Sequence, residues 1–354
     1  MLATVTDWLW SYVLIVALLA VGIRLTVTAR FVQIRLFKDM FRGLASGFSA
    51  TDKGLSSFQS LVVSVAGRVG GGNIAGVAVA ITLGGPGALF WMWLIALIGM
   101  ATSLFECALA QLYKQSDGSE TYRGGPAYFM HFGLEQMVGG GVAAAIMQGA
   151  RRGLFSNEAG LGTIPNVAAT ADVEHPISQG LVQSLSVFID TIVLCTCTAL
   201  IILLSSAYQP DAINPQGVVL TQLAVAEQIG GWGESLVSIF LVLFATTTIA
   251  YNCYLGENSI AYFANRPAWA IPAFRIAVLV MIAWASVQDL GTVFSSSDLT
   301  MALLAITNLL ALWYLAPVGM KLLRDYESQL RGGVSPVFKR ETMPDENIDE
   351  GSWS

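Results

Sequence analysis

The chemistry of this chain centres on a glycine-rich interruption of the apolar run between Val62 and Ala80. The interruption reads Ala66-Gly67-Arg68-Val69-Gly70-Gly71-Gly72-Asn73. Each glycine costs a helix about 1 kcal/mol relative to alanine, and in lipid the freed amides and carbonyls would lack water. Such a break is stable where it is buried in protein or lines a polar cavity, and there it presents backbone dipoles to a ligand. It indicates the substrate and ion site of a secondary transporter, with a close crossing of small residues as the alternative.

Two charged residues lie far from any predicted helix end. Arg68 is the only basic residue more than about two helical turns inside a predicted span, and a buried arginine needs a partner. It is either functional or reaches the inner interface by snorkelling. Asp190 lies in the otherwise apolar run Val187 to Leu204. We interpret it as part of an ion path or as a buried pair with Arg68, and a solvated interfacial aspartate is the alternative.

Composition identifies the class of protein that positions these residues. The 354-residue chain is 55% hydrophobic and 12% charged, against about 25% charged residues in soluble domains. Seven runs are long enough to cross a bilayer core, which takes about 20 apolar residues. They lie near 8–28, 57–83, 87–113, 178–205, 233–255, 269–288 and 299–320. We therefore predict an all-α polytopic membrane protein with a transmembrane domain over 1–320, a short apolar segment at 138–150 and a cytoplasmic tail over 321–354.

Charge placement predicts the orientation. Lysine and arginine occur within 24–53, 114–123, 151–152, 266–275 and 321–340, and are absent from 1–7, 84–86, 205–232 and 289–298. By the positive-inside rule the N-terminus is outside, the C-terminus is cytoplasmic and segment 138–150 enters and leaves on the cytoplasmic side. The basic stretch 30–42 suits nucleic acid or anionic lipid. Its interleaved Phe31, Ile34 and Phe37 favour an amphipathic helix on the lipid bilayer, so no nucleic-acid partner is expected.

Several long motifs resemble the alanine or glycine:cation (sodium) symporter family. They are Gly70-Gly71-Gly72-Asn73-Ile74-Ala75-Gly76-Val77, Gly84-Gly85-Pro86-Gly87-Ala88, Phe90-Trp91-Met92-Trp93, Arg123-Gly124-Gly125-Pro126, Gly153-Leu154-Phe155-Ser156-Asn157-Glu158-Ala159-Gly160, Phe188-Ile189-Asp190-Thr191, Phe244-Ala245-Thr246-Thr247-Thr248 and Gly256-Glu257. The resemblance implies sodium-coupled symport of a small neutral amino acid, alanine or glycine, across a bacterial inner membrane. It also implies a leucine-transporter-type inverted-repeat fold with an extra N-terminal helix.

The chain departs from this family at one point. Family members carry about three more membrane helices after the Gly-Gly-Pro motif, whereas here Met130 to Gly133 runs almost directly into Leu134 to Met137. The missing helices form walls of the substrate cavity in this fold. The resemblance therefore implies an internally deleted form, and the alternative function is a transport-dead remnant of such a symporter.

The resemblance assigns roles to residues around the break. Substrate binding falls to Gly70, Gly71, Gly72, Asn73, Gly140 and Gly141, because glycine amides admit a carboxylate closely. Sodium is expected to bind the carbonyls of Ala66 and Val69 and the side chains of Asn73, Thr247 and Thr248. Back-bonding to the preceding turn is the alternative for the threonines. Ser156, Asn157 and Glu158 are expected to form an inner gate, with simple loop packing as the alternative.

No enzymatic activity is expected from this sequence. Its two histidines, His131 and His175, have no adjacent nucleophile or metal partner in the sequence. A phosphate-binding loop and a Cys/His cluster are also absent from it. We therefore predict no cofactor apart from sodium as the coupling ion.

Overall fold

The computed structural model describes residues 9–46, 54–116, 121–134, 156–209, 217–263, 268–288 and 290–353. The α-helices of these ranges are α1 (Ile15–Thr28), α2 (Val32–Arg35), α3 (Phe37–Ser46), α4 (Ser57–Arg68), α5 (Val77–Gly84), α6 (Gly87–Leu112), α7 (Pro126–Leu134), α8 (Ile164–Ala168), α9 (Pro176–Val187), α10 (Thr196–Leu203), α11 (Val218–Ile229), α12 (Trp232–Phe263), α13 (Ala270–Ser286) and α14 (Leu290–Arg331). Wider π-helical turns occupy Trp10–Leu14, Gly72–Gly76 and Phe188–Cys195. A short antiparallel hairpin pairs β1 (Gln115–Ser116) with β2 (Tyr122–Arg123).

The described helices include several that are long and apolar enough to cross a membrane. Four meet this requirement alone, namely Gly87–Leu112, Pro176–Leu203, Trp232–Tyr262 and Ser296–Arg331. Ser57–Arg68 and Gly72–Gly84 meet the requirement only together, as a broken span or a re-entrant loop, and are bent by 54° at the glycine-rich break. The apolar helices Ile15–Thr28, Val218–Ile229 and Ala270–Ser286 are shorter. These helices fit the polytopic membrane protein that the composition predicts.

The structure differs from the sequence prediction in two connecting regions. The predicted outer loop over 205–232 contains helix α11, whose Leu220 and Ala224 pack with Ala199 and Ile202 of α10. At 12 residues, α11 is too short to register as a span. The last helix continues past 320 to Arg331. The predicted short segment at 138–150 lies outside the described residues.

The main hydrophobic core is built around α6. From Met100 to Leu112 every residue of this helix is buried, because α1, α9 and α14 cover it. The closest approach is to α9, where the backbone of Gly180 lies against the Leu104 carbonyl. The long apolar helix α6 is thus the central helix of the bundle.

The tail after α14 folds back onto this core. Trp353 is buried, and its Nε1 donates to the carbonyl oxygen of Gln111 at 3.1 Å. The Lys114 ammonium lies 4.5 Å from the centroid of the Trp353 ring and 3.9 Å from that of Tyr122. Burial lowers the pKa of Lys114 to about 7, while Asp172 acts in the opposite direction. The tail is therefore an ordered cap on one end of α6.

Helices α12 and α13 lie at the edge of the molecule. Only 11% of the apolar 18-residue stretch of α12 is buried. On α13, Ile276 and Leu279 are 63% and 66% exposed. Such apolar surfaces need lipid or another protein segment against them in the membrane.

We expect Gly180→Ala to destabilise the α6–α9 contact. A Cβ at position 180 would lie 2.5 Å from the Leu104 carbonyl oxygen, which is backbone and cannot rotate away. Overpacking of this kind costs about 1–3 kcal/mol, so the thermal unfolding midpoint in detergent should fall. The matched control is Gly87→Ala at the exposed start of α6, where an added Cβ meets nothing within 4 Å. Equal midpoints for the two variants would contradict the assigned contact.

Candidate functional site

The glycine-rich break divides one span into two helices and frees backbone groups at the division. Helix α4 ends at Arg68, Val69 is extended, and the chain resumes as a π-helical turn at Gly72–Gly76. The amide of Gly70 donates to Asn73 Oδ1 at 3.0 Å, and the amide of Asn73 donates to the Gly70 carbonyl at 3.2 Å. These two amides are the i+4 donors that a continuous helix would direct to the carbonyls of Ala66 and Val69. Both carbonyls lose that partner at the break.

A buried carboxylate lies beside the break. Asp190 is 1% exposed and belongs to the π-helical stretch Phe188–Cys195. Its Oδ1 accepts from Asn73 Nδ2 at 2.7 Å, and its Oδ2 accepts from Ser156 Oγ at 2.8 Å and Thr191 Oγ1 at 3.0 Å. Three donors thus replace the water that burial removes. The cluster joins two π-helical turns, a feature frequent at functional sites.

Arg68 is buried but does not form an ion pair with Asp190. Its guanidinium donates to the Gln183 carbonyl at 3.2 Å, to Ser103 Oγ at 3.2 Å and to Ser186 Oγ. At 3% exposure the side chain does not reach the surface by snorkelling. The structure therefore uses Arg68 to join the end of α4 to α6 and α9.

A cavity of about 600 Å³ opens next to the break. Part of its lining is backbone and small polar side chains, including Gly70, Gly71, Gly72, Glu158, Thr163, Thr248, Asn252, Ser297 and Thr300. The larger part is apolar and includes Leu161, Ile249, Met301 and Leu304. This volume is in the range of small-molecule sites. A Cβ added at Gly71 would meet nothing within 4 Å, so the backbone there faces open space.

The two predicted threonine ligands separate in the structure. Thr248 lines the cavity, and its hydroxyl oxygen is buried without a hydrogen-bond partner among the described residues. It lies 2.9 Å from the position that a Cβ on Gly70 would occupy. Thr247 is exposed, and its hydroxyl donates to the Phe244 carbonyl at 2.9 Å. For Thr247 the structure therefore shows the alternative, a hydrogen bond from the hydroxyl back to the preceding helical turn.

The predicted inner gate is divided between the cluster and the cavity. Ser156 binds Asp190, and Asn157 Nδ2 donates to Thr191 Oγ1 at 3.1 Å. Glu158 lines the cavity with φ of 52°, and its Oε2 accepts from Thr163 Oγ1 at 2.6 Å. The triplet therefore connects the buried carboxylate to the cavity. Gly140 and Gly141 lie outside the described residues.

Sequence reasoning missed four polar residues that line the cavity: Thr163, Asn252, Ser297 and Thr300. Ser297 ends the run Ser295-Ser296-Ser297, and Thr300 follows it shortly. This polar run just before an apolar stretch could have indicated both residues. Thr163 and Asn252 carry no comparable signal. Asn73, by contrast, donates from its side-chain amide to Asp190. This contact does not support its predicted role as a substrate ligand.

Comparison with known proteins identifies the family. The model of the sodium:alanine symporter family matches residues 1–137 and 131–340. The chain is 35% identical to the probable sodium/glutamine symporter GlnT of Bacillus subtilis (strain 168), covering 96% of this chain and 93% of that protein. It is 34% identical to the amino-acid carrier protein AlsT of the same organism, covering 96% and 94%. It is 29% identical to the sodium/alanine symporter AgcS of Methanococcus maripaludis, covering 89% and 94%.

The same comparisons locate a shortfall in length. The alignment to GlnT runs over 449 positions, whereas 96% of this chain is about 340 residues, so about 110 positions fall opposite gaps. The two family-model matches meet at 131–137, where the sequence motifs place the missing helices. The chain is thus shorter than relatives of about 470 residues. Its matches on both sides of that point are with transporters and not with enzymes, and the chain belongs to the sodium:alanine symporter family.

Proposed function

We propose that this chain carries the ion and substrate site of a sodium-coupled symporter for a small neutral amino acid, alanine or glycine. One observation carries the proposal: at the break the carbonyls of Ala66 and Val69 lose their helical donors. Their neighbours Gly67 and Gly70 line a cavity of about 600 Å³ together with Thr248, whose hydroxyl has no hydrogen-bond partner among the described residues. Carbonyl and hydroxyl oxygens suit a hard cation. The relatives AgcS, a sodium/alanine symporter, and GlnT, a probable sodium/glutamine symporter, support the same function.

In this proposal sodium binds between the two halves of the broken span and α12. The carbonyls of Ala66 and Val69 supply two ligands and Thr248 a third. Asn73 acts mainly by holding the break open, since its Oδ1 takes the Gly70 amide. Asp190 contributes negative charge close by through its bond with Asn73. Ion binding and the geometry of the break are thereby coupled.

The substrate carboxylate is proposed to bind the amides of Gly71 and Gly72. They stand at the start of the helical segment Gly72–Gly84, where the first amides have no intrahelical acceptor and the dipole favours an anion. Side-chain oxygens of Glu158, Thr163 and Asn252 line the same cavity and would accept hydrogen bonds from the ammonium end. The lining suits a small zwitterion.

We further infer a leucine-transporter-type inverted-repeat fold in a bacterial inner membrane, with the N-terminus outside and the C-terminus cytoplasmic. A span broken at mid-length is typical of that fold. The orientation is supported by contacts among the basic segments: Arg35 pairs with Glu327 at 2.5 Å, and Lys114 lies under Trp353 of the tail. These segments therefore share one end of the molecule.

A transport-dead remnant is a second candidate, and a specific observation favours it. The face of α12 that carries Thr247 is exposed, and about 110 positions of the relatives have no counterpart in this chain. Alternating access needs two bundles that move around a closed site. Loss of one wall leaves ion and substrate binding as the functions that can persist.

We expect Thr248→Ala to weaken sodium binding, because it removes an oxygen from the proposed ion site. Loss of one hydrogen-bond-strength contact to a charge is worth about 1.5–3 kcal/mol, so the apparent Kd should rise at least about tenfold. The measurement is sodium-dependent thermal stabilisation of the detergent-purified chain, with potassium replacing sodium at constant ionic strength. Thr247→Ala makes the same chemical change on the exposed face and should leave the titration unchanged. Indistinguishable titrations would reject this ligand.

We expect Gly71→Ala to weaken alanine binding without loss of stability. The new Cβ meets no protein atom within 4 Å, so it would extend into the space proposed for the carboxylate. Alanine-dependent thermal stabilisation in saturating sodium should shrink, while the midpoint without ligand should stay close to that of the parent chain. The exposed Gly87→Ala variant is the control. Unchanged alanine titration in Gly71→Ala would show that the carboxylate binds elsewhere.

We expect no sodium-driven accumulation of alanine by the 354-residue chain in reconstituted vesicles. The open side of α12 leaves the cavity without a wall that can close. The measurement is uptake of labelled alanine under an inward sodium gradient, with a potassium gradient as control. Robust uptake that collapses in potassium would contradict this expectation and would imply that an oligomer supplies the missing wall.

A further inference from the structure

A second, smaller cavity lies between α1 and α14, remote from the glycine-rich break. It has a volume of about 300 Å³. Basic side chains and apolar surface both line it, the former being Arg24, Lys321 and Arg324 and the latter including Leu25, Pro317 and Met320. Three positive charges around one small space repel one another. An anion within the cavity would relieve that repulsion.

The position of Arg24 follows from the proline in α14. Pro317 has no amide hydrogen, so the carbonyl of Trp313, four residues earlier, lacks its helical donor. Arg24 Nη1 donates to this carbonyl at 2.8 Å, and its guanidinium carbon lies 4.0 Å from the centroid of the Trp313 ring. The guanidinium is thus held in place by one bond and one stacking contact. Its other N–H groups remain as donors.

Lys321 and Arg324 lie three residues apart on one face of α14 and are both exposed. The nearest carboxylate to Lys321 is Glu346, at 3.9 Å. Arg324 makes no hydrogen bond or ion pair with any residue that the structure describes. Arg324 is therefore available to an external ligand, and the Lys321 ammonium keeps further donors beyond its long contact with Glu346.

The acidic residues of the same turns are directed to other partners. Asp325 Oδ2 lies 3.1 Å from His175 Nε2 and accepts from Gln329 Nε2 at 3.0 Å. Glu327 binds Arg35 at 2.5 Å and Arg331 at 3.1 Å. Neither acid lines the cavity. Glu346 offsets part of the charge of Lys321, whereas Arg24 and Arg324 form no ion pair with a carboxylate of the described residues.

We propose that this cavity binds the phosphodiester headgroup of an anionic phospholipid, with its acyl chains along the apolar surface of α1 and α14. Basic pockets between membrane helices at the cytoplasmic side are suited to such headgroups. In the same turns as Arg24 and Trp313, α1 and α14 expose Ile23, Val27 and Leu310. The acyl chains of a lipid would cover this apolar surface, whereas free phosphate would not. Trp313, 39% exposed, has the amphipathic ring that favours the membrane–water interface. The proposal is independent of the transport function.

The test measures phosphatidylglycerol binding to the detergent-purified full chain by native mass spectrometry, as a titration in mixed micelles. The test variant is the double substitution Lys321→Gln and Arg324→Gln, and the control is Lys38→Gln with Arg42→Gln, two exposed basic residues of α3 at the same end. At about fivefold per basic residue, the test variant should lose about 25-fold in apparent affinity. The control should stay within about twofold of the parent chain. All four positions are exposed, so both variants should keep the unfolding midpoint of the parent without lipid.

Two further binding measurements identify the ligand. Phosphatidylcholine should bind more weakly than phosphatidylglycerol, and millimolar inorganic phosphate should not displace bound phosphatidylglycerol. Equal losses in the test and control variants would overturn the proposal in favour of diffuse surface attraction. Equal binding of the two lipids, or displacement by inorganic phosphate, would overturn it as well, the latter indicating a site for free anions.

Discussion

A broken helix within a bilayer must find hydrogen-bonding partners inside the protein, because lipid offers none. Much of the buried polar structure described for this chain follows from that requirement. Asn73 meets it in two directions, since its Oδ1 accepts from the Gly70 amide while its Nδ2 donates to Asp190. Asp190 in turn accepts from Ser156. A short chain of hydrogen bonds thereby connects the break in the α4–α5 span to the π-helical stretch after α9 and to the segment before α8.

This arrangement separates the groups that stabilise the break from those that face the cavity. The side chains of Asn73, Asp190 and Ser156 satisfy one another, whereas the glycine backbone and Thr248 face open space. A ligand can therefore bind the backbone of the break without removing the bonds that support it. Such pre-organisation lowers the cost of binding.

The helices on the two sides of the molecule are buried to different extents. Helix α6 packs against α1, α9 and α14, and the folded tail caps it at Gln111. On the other side, α12 contributes Thr248 to the cavity, yet most of its surface is exposed. About 110 positions of the relatives have no counterpart in this chain, and the two family matches meet at 131–137. Under the proposed function, binding and transport are separable, because symport requires both sides of the site.

The sequence by itself determined the class of protein, the family and the position of the break, because long apolar runs and consecutive glycines express bilayer thickness and helix propensity locally. It also indicated Arg68 and Asp190 as buried, since charge inside an apolar run is visible without a fold. Their partners depended on tertiary structure: Arg68 bonds to α6 and α9, and Asp190 to Asn73. Only tertiary structure separated Thr247 from Thr248, because adjacent residues on a helix differ by about 100° in direction and the sequence does not state which face meets the break. The basic cavity at Arg24 was likewise decided by packing, since α1 and α14 lie at opposite ends of the chain and Pro317 frees the carbonyl that Arg24 binds.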